Sequence, residues 1–335
     1  MSEHKSYSMN EKLFYNTVQC QTFSPDGQYL AAGNIYGAVS IYELSKALGP
    51  YQDHETDPRG PNYRFTAYPD QQVHSIVATD KFLITGTVGE ISGWDWNTVI
   101  SNKVSKIKVS WSIQIPTVKD SYERPDVNYM VLSKEDNLLH AGCGDNKIYT
   151  FSLEDGKLLR TLEGHEDFIH ALSLLGNQLA SASEDGSVRL WDLRQKETLN
   201  IVKPFLAEKV ARPRLGKWIG TVDFTEDWLL CGGGPKLALW HMRTMEAATI
   251  FELPDQGIHS GTIYEERVIV GGAMPSVQHL NYQGEILAEV LTSSNTIYSI
   301  VYQDNPPKLL SMAGSSNNID ICTNFSYREM TLKFA

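Results

Sequence analysis

Long apolar runs, closely spaced cysteines and an excess of positive charge are all missing from this chain of 335 residues. No segment approaches the roughly 18 unbroken apolar residues that indicate a membrane span. Residues 1–16 carry no apolar core behind their charges, so we expect no secretory signal there. Acidic residues number 40 against 29 Lys and Arg, which gives a net charge of −11. Such a body argues against a protein whose main task is binding a phosphate backbone.

Cysteine is scarce as well. The four cysteines lie between 88 and 123 residues apart along the chain, so the sequence contains no Cys-x-x-Cys pair. This spacing excludes a zinc knuckle and a thioredoxin-type motif. All four lie in strand-like apolar stretches, and we expect reduced, buried thiols in a protein of the cytosol or nucleus. They are Cys20, Cys143, Cys231 and Cys322.

What the chain has in abundance is short apolar runs of period two, bounded by turn residues. The clearest is QLASASEDGSVRLWDLR at 178–194, where Glu184-Asp185-Gly186 supplies a tight turn between two alternating strands. Six weaker copies make seven hairpins, and their turns are spaced by 40–42 residues in three cases and 50–56 in the other three. The other hairpins lie at 29–44, 82–96, 138–153, 228–243, 267–282 and 308–323.

The shorter spacing matches the period of a four-stranded propeller blade, about 40–45 residues. A strand-like segment precedes each hairpin, and others follow. We therefore predict an all-β chain, a single seven-bladed β-propeller with four antiparallel strands per blade over 17–335. Insertions near 45–61, 97–110 and 203–217 would account for the longer spacings. Residues 1–16 would form an N-terminal extension, either a short helix or an edge strand.

The fourth unit resembles the WD-repeat family, through Gly164-His165 before it and Leu190-Trp191-Asp192 in its third strand. The family fold is a β-propeller around a central channel. His165, Asp185 and a serine, Ser181 or Ser183, could pass for a scrambled catalytic triad. In WD repeats, residues of these types and a tryptophan, here Trp191, form a structural network of hydrogen bonds that stiffens the blade. We therefore expect no catalytic residue, and we expect the other six blades to depend more on apolar packing.

No motif indicates a metal or a cofactor, and we expect none. The segment HEDFIH at 165–170 places its histidines five apart, whereas a zinc-binding helix needs them four apart. The segment CGGGP at 231–235 lacks the Lys-Ser/Thr of a phosphate loop. Its glycines indicate either close backbone approach or a turn that requires positive φ.

The insertion at 203–217 is the strongest surface signal, because it is basic in an acidic chain. It could bind an acidic helix of a partner or a nucleic-acid backbone. Trp218 adjoins it, and tryptophan and arginine are favoured as anchors of interfaces. The candidate partner-binding residues are Lys203, Lys209, Arg212, Arg214, Lys217 and Trp218.

Several strings together are similar to the family of WD-repeat subunits of the THO/TREX assembly. They are LAAGNIYGAVSIYELSKAL, GHEDFIHAL with EDGSVRLWDLR, RPRLGKWIGTVDFTEDWLLCGGGPKLALWHMR and GSSNNIDICTNFSYREMTLKF. The resemblance runs from about residue 12 to the end, and it is most specific at 212–243.

This resemblance implies a non-enzymatic nuclear scaffold that binds the coiled-coil-rich THO subunits 5 and 7. The assembly couples mRNA processing to nuclear export, and contact with RNA would be indirect or weak. No membrane and no small-molecule substrate are implied. Two alternatives stay open: direct RNA binding through 203–217, and a substrate receptor of a ubiquitin ligase, a use known for other propellers.

Overall fold

In the computed structural model, the described residues form seven four-stranded antiparallel sheets, each made of four consecutive strands. The prediction of a seven-bladed propeller is confirmed. Part of the N-terminal extension, at 1–8, and parts of the insertions at 45–61 and 97–110 fall outside the described residues. The structure describes residues 9–49, 59–101, 107–117, 124–195 and 198–335.

Each blade runs from an inner strand beside the channel to an outer strand at the rim, and the inner strands of neighbouring blades contact one another around the ring. The inner strands are β1 Val18–Phe23, β5 Ser75–Ala78, β9 Val127–Ser133, β13 Ile169–Leu175, β17 Ile219–Phe224, β21 Ile258–Tyr264 and β25 Ile297–Gln303. The second strands are β2 Tyr29–Asn34, β6 Phe82–Gly86, β10 Leu138–Cys143, β14 Gln178–Ser183, β18 Trp228–Gly233, β22 Arg267–Gly272 and β26 Leu309–Gly314. The third strands are β3 Ala38–Glu43, β7 Glu90–Asp95, β11 Ile148–Ser152, β15 Val188–Asp192, β19 Ala238–His241, β23 Ser276–Asn281 and β27 Asn318–Cys322. The outer strands are β4 Tyr63–Thr66, β8 Trp111–Gln114, β12 Leu158–Leu162, β16 Thr198–Val202, β20 Glu246–Ile250, β24 Ile286–Leu291 and β28 Met330–Lys333.

Short helices interrupt the strands at a few places. Helix α1 spans Met9–Phe14, and α2 (Leu44–Ala47) and α3 (Trp96–Val99) directly follow the third strands of the first two blades. The side chain of Asp95 caps α3 by accepting a hydrogen bond of 2.9 Å from the backbone N–H of Thr98. The hairpin prediction was wrong at Trp96, which begins a helix, because this local cap stops the strand. None of the described helices has the length and apolarity that crossing a bilayer requires.

The apolar core lies between neighbouring blades. For example, Ala180 and Leu190 of blade four pack in one cluster with Val222, Leu229 and Trp240 of blade five. Each sheet is therefore covered on both faces. This explains why the second and third strands are almost wholly buried. The outer strands, at the rim, contain both exposed and partly buried residues.

Glycine is required at the turn between β2 and β3. Gly37 has φ of 81°, and a Cβ atom there would lie 1.6 Å from the backbone oxygen of Tyr68. The turn therefore needs a residue that both adopts positive φ and leaves room for the neighbouring segment.

The ring closes between blade one and blade seven, and among the described residues no strand is exchanged between the two sheets. Phe334 is fully buried in a cluster with Val18, Leu30 and Ile319. The backbone oxygen of Phe334 accepts a hydrogen bond of 2.8 Å from the Ser40 hydroxyl. Closure therefore depends on packing across the interface of two complete blades.

Three asparagines add polar contacts to this closure. The side-chain amide of Asn34 donates to Asn16 (2.8 Å), and that of Asn16 donates to Asn317 (3.0 Å). The Asn317 amide donates in turn to the backbone oxygen of Ala335 (2.8 Å). The segments that flank the propeller are thereby joined at a single interface.

Several titratable side chains are buried in the sheets. All four cysteines are buried and unpaired, and burial raises the pKa of Cys231 and Cys322 to about 12. Burial also lowers the pKa of His140 and His279 to about 4. These two imidazoles are therefore neutral in the folded protein at neutral pH.

We expect Phe334→Ala to lower the free energy of unfolding by about 3–5 kcal/mol, because it leaves a cavity in the closing interface. Urea denaturation followed by tryptophan fluorescence measures this change. Phe14→Ala is the matched control, because Phe14 is 81% exposed. Equal stabilities of the two variants would contradict the role of this interface.

Stability should fall as the pH is lowered from about 6.5 towards 4. The folded-state pKa of His279 lies below its ordinary value of 6.5, so the unfolded chain binds more protons in this window. The stabilisation is present above pH 6.5 and is lost as the pH falls towards the folded pKa. Urea midpoints measured across this window should depend less on pH in His279→Gln, and an unchanged dependence would refute the assignment.

Candidate functional site

The fourth blade contains a continuous chain of buried hydrogen bonds. The Nδ1 atom of His165 lies 2.8 Å from Oδ2 of Asp185, and its Nε2 atom lies 2.7 Å from the hydroxyl of Ser181. The indole N–H of Trp191 donates to the same hydroxyl at 2.9 Å. The structure thus links the loop before β13, the second strand, the turn and the third strand.

The protonation states follow from the partners. Burial lowers the pKa of His165 and outweighs the nearby charge of Asp185. Burial acts to raise the pKa of Asp185, but hydrogen bonds from His165, Ser187 and the backbone N–H of Glu166 hold it well below its usual range. A neutral His165 with its proton on Nδ1 therefore donates to a charged Asp185 and accepts from Ser181.

Ser183 lies outside this relay. Its hydroxyl donates to the backbone oxygen of Asp167 (2.9 Å) and accepts from the backbone N–H of Asp185 (3.1 Å). The sequence left open which serine meets the tryptophan, and in the structure it is Ser181. Ser183 instead connects the β14–β15 turn to the preceding loop.

This arrangement has the residue types of a hydrolase, but a substrate cannot reach the Ser181 hydroxyl. Ser181 is fully buried, and its oxygen is held between His165 and Trp191. A nucleophile must face a position that a substrate atom can occupy. Here that position is filled by the indole, so the geometry supports stiffening of the blade.

Blade two contains a related network that the sequence analysis missed. The hydroxyl of Tyr68 lies 2.8 Å from Oγ1 of Thr85, and the indole N–H of Trp94 donates to the same atom at 2.9 Å. Tyrosine and threonine thus stand where blade four has histidine and serine. The signal was a threonine in the second strand, nine residues before a tryptophan in the third.

The basic insertion lies between blades four and five and contains two short 3-10 helices, Pro204–Leu206 and Pro213–Leu215. Lys203, Lys209 and Lys217 are exposed. Within the described part of the chain, these three side chains have no recorded hydrogen bond or ion pair, so their charge is available at the surface.

The two arginines of the insertion differ from the lysines. The guanidinium of Arg212 donates to the backbone oxygens of Gly233, Gly234 and Pro235 at 2.8–3.1 Å, and Arg214 pairs with Asp255. Arg212 thereby joins the insertion to the β18–β19 turn. Its side chain therefore supports the structure, and its role as a partner contact stays a prediction.

The sequence analysis offered two reasons for the glycines at 232–234: close backbone approach, or a turn that requires positive φ. The structure supports close backbone approach. A Cβ at Gly233 would lie 2.2 Å from the backbone oxygen of Trp218, and one at Gly234 would lie 2.4 Å from that of Gly216. None of the three glycines at 232–234 has positive φ. They are therefore needed for close backbone approach.

Trp218 lies at the mouth of the central channel, not on the outer surface of the insertion. Its indole N–H donates to the backbone oxygen of Leu215 (2.8 Å), and its ring stacks on that of His259 with centroids 5.3 Å apart. The channel is a cavity of about 1000 Å³. The candidate residues of the insertion therefore separate into exposed lysines, internally bonded arginines and a channel tryptophan.

No cluster of three or more potential metal ligands occurs among the described residues. The two histidines of HEDFIH serve different partners. His165 belongs to the network of blade four, and Nε2 of His170 lies 2.8 Å from Oε2 of Glu184 at the channel mouth.

Comparison with known proteins agrees with this fold. Residues 156–192 match the family model for the WD domain, G-beta repeat. Together with the seven sheets, this match defines a WD-repeat β-propeller.

Three relatives are similar over almost the whole chain. The THO complex subunit 6 homolog of Danio rerio is 36% identical, with 96% of this chain and 99% of that protein aligned. THO complex subunit 6 of Drosophila melanogaster is 37% identical over 96% of this chain and 90% of its own. The Homo sapiens protein of the same name is 36% identical over 95% of this chain and 93% of its own. The chain belongs to the THO complex subunit 6 family.

We expect Ser181→Ala to cost about 1–3 kcal/mol of unfolding free energy, because it leaves the buried indole N–H of Trp191 and Nε2 of His165 without their partner. Chemical denaturation measures the loss, and Ser45→Ala at an exposed site of α2 is the matched control. A loss no larger than that of the control would argue against a structural network.

Proposed function

We propose that this chain is a non-enzymatic scaffold subunit of a nuclear THO complex, within the TREX assembly. It would bind other THO subunits and support mRNA processing coupled to nuclear mRNA export. The observation that carries the proposal is the identity of 36–37% to THO complex subunit 6 proteins over 96% of the chain. Similarity over all seven blades favours a shared role for the whole propeller.

A scaffold role also agrees with the chemistry of the blades. The side chains of His165, Ser181 and Asp185 in blade four are buried and satisfy one another's hydrogen bonds. A rigid ring of blades can bind partners with little loss of its own conformational freedom, which favours affinity.

The partners in this proposal are THO subunits 5 and 7, which are rich in coiled coil. Their helices would dock on the rim of blade four, where Leu199 and Ile201 of β16 are exposed. Leu206 in the insertion is 70% exposed, and Lys203 and Lys209 lie close to it in sequence. Apolar side chains flanked by lysines suit an amphipathic helix with acidic flanks.

The proposal predicts that the purified chain captures purified THO subunits 5 and 7 from the same organism in a pull-down assay. The double charge reversal Lys203→Glu with Lys209→Glu should weaken capture by about tenfold or more, because like charges then face an acidic helix. Lys81→Glu, in the β5–β6 turn of blade two, is the matched control. Absence of capture by the wild-type chain would reject the partner assignment.

The same variants separate this function from RNA binding. Phosphate contacts make affinity fall steeply with salt, and loss of a lysine reduces that dependence. RNA binding would be favoured over the scaffold role by two results together. The wild-type chain would bind single-stranded RNA and the double charge reversal would abolish this binding, and the wild-type chain would not capture the two subunits.

A further inference from the structure

A cavity of about 280 Å³ lies between blades four and five, away from the central channel. Blade four contributes Leu199 and Asn200 at the start of its outer strand, and blade five contributes its β17–β18 and β19–β20 turns. We call this cavity the rim pocket. Pockets for small molecules usually measure about 300–1000 Å³. The rim pocket is therefore better suited to one or two side chains of another protein than to a separate small ligand.

Two methionines of the β19–β20 turn, Met242 and Met245, form an apolar wall of the rim pocket. Met245 has φ of 55°, a conformation that favours glycine. Blade three has Gly156 at the corresponding position, because both residues donate their backbone N–H to the backbone oxygen four residues earlier, at 2.8 and 2.9 Å. Blade five thus keeps a side chain where the backbone favours none. Residues held in this way concentrate at binding sites, and methionine adapts well to apolar partners.

Carboxylates border the same pocket. Glu226 and Asp227 are exposed neighbours in the β17–β18 turn, and neither forms an ion pair with another described residue. Arg243 is the one lysine or arginine among the residues that line the pocket. With two carboxylates against one guanidinium, this border complements a positively charged side chain.

The outer strand β16 joins this acidic end to the basic insertion. Leu199 and Ile201 are 44% and 46% exposed, and they share one face of the strand because they are two residues apart. Lys203 follows the strand at its other end and is exposed. Four strand residues at about 3.3 Å each separate Leu199 from Lys203 by about 13 Å. This length corresponds to about nine residues of a helix, which rises about 1.5 Å per residue.

We propose that the rim pocket holds an apolar anchor residue of the partner helix, and that the charges at its two ends fix the direction of this helix along β16. A leucine or methionine would pack against Met242 and Met245, with a lysine or arginine beside Glu226 and Asp227. An acidic residue about nine positions away would meet Lys203. A helix lying the opposite way would bring like charges together at both ends. This inference rests on the proposed function, because it assigns contacts to the same docking surface.

Photo-cross-linking in the complex with purified THO subunits 5 and 7 tests the direction of the helix. One variant carries p-benzoylphenylalanine in place of Leu199, and a second carries it in place of Lys203. Mass spectrometry then identifies the partner residues that become attached. We expect both variants to attach to one helix, at positions about nine residues apart. The position reached from Leu199 should lie beside a basic residue, and the position reached from Lys203 beside an acidic one.

The same measurement can overturn the proposal. A separation of about four residues would indicate an extended strand added to the edge of β16 instead of a helix. Attachment to two different segments, or the opposite order of charges, would also reject it. The matched control has p-benzoylphenylalanine in place of Leu159, which is 57% exposed on the outer strand of blade three. Equal attachment from this control would show that the contact is not specific to blade four.

Substitutions in the pocket test its contribution to capture in the pull-down assay. Glu226→Lys together with Asp227→Lys should weaken capture by about tenfold or more, because the pocket border then repels a cationic side chain. Glu265→Lys together with Glu266→Lys makes the same change in the exposed β21–β22 turn of blade six, and this control should capture as the wild type does.

Met245→Gly removes one wall of the pocket without disfavouring the turn, because glycine readily adopts positive φ. It should weaken capture by about threefold or more, since an apolar anchor loses part of its pocket. Unchanged capture by either pocket variant, with normal capture by the wild type, would reject the pocket assignment and leave the proposed function standing. Absence of capture by the wild-type chain would reject both.

Discussion

The interface between the first and the seventh blade is the constraint on which the rest of the ring depends. Both sheets are complete without the other, so the ring is held closed by side-chain packing and by a few hydrogen bonds, including one of 2.8 Å from the backbone N–H of Lys333 to the backbone oxygen of Arg59. The cluster around Phe334 supplies apolar burial, and Gln21 bridges the inner strands by donating to the backbone oxygen of Ser299 at 3.2 Å. An open ring would expose two apolar sheet faces to water, and the channel mouth would lose the alignment of its seven inner strands.

The hairpins and their turns could be predicted because both signals are local. Alternation of period two and a turn glycine such as Gly37 are visible within about a dozen residues. The network of blade two was hidden because Tyr68 and Thr85 differ from the histidine and serine of the family motif. Helix α3 was missed because a single cap, Asp95, decides between helix and strand at that point.

The role of the candidate residues at 203–218 as partner contacts stays a prediction, but their placement in the fold could be predicted only in part, for a different physical reason. The positive charge of the insertion is a property of composition, so it was visible. The direction of each side chain depends on partners far along the chain: Arg212 on the carbonyls at 233–235 and Trp218 on the space beside Gly257. From the sequence alone, a tryptophan beside a basic loop is therefore predicted to be a surface anchor. Its position in the channel can be recognised only when the packing of the neighbouring blade is known.

Every blade is formed by a contiguous segment of the chain. The strand pairing within a blade therefore does not depend on which blade comes first in the sequence. Asn16 and Ala335 both bond to Asn317, so the two ends of the ring already meet. A circular permutant that joins these ends and begins between two other blades would retain all twenty-one strand pairs of the described sheets. The propeller is topologically a cycle of equivalent units, and the position of the chain break affects the side chains at one interface without changing the fold.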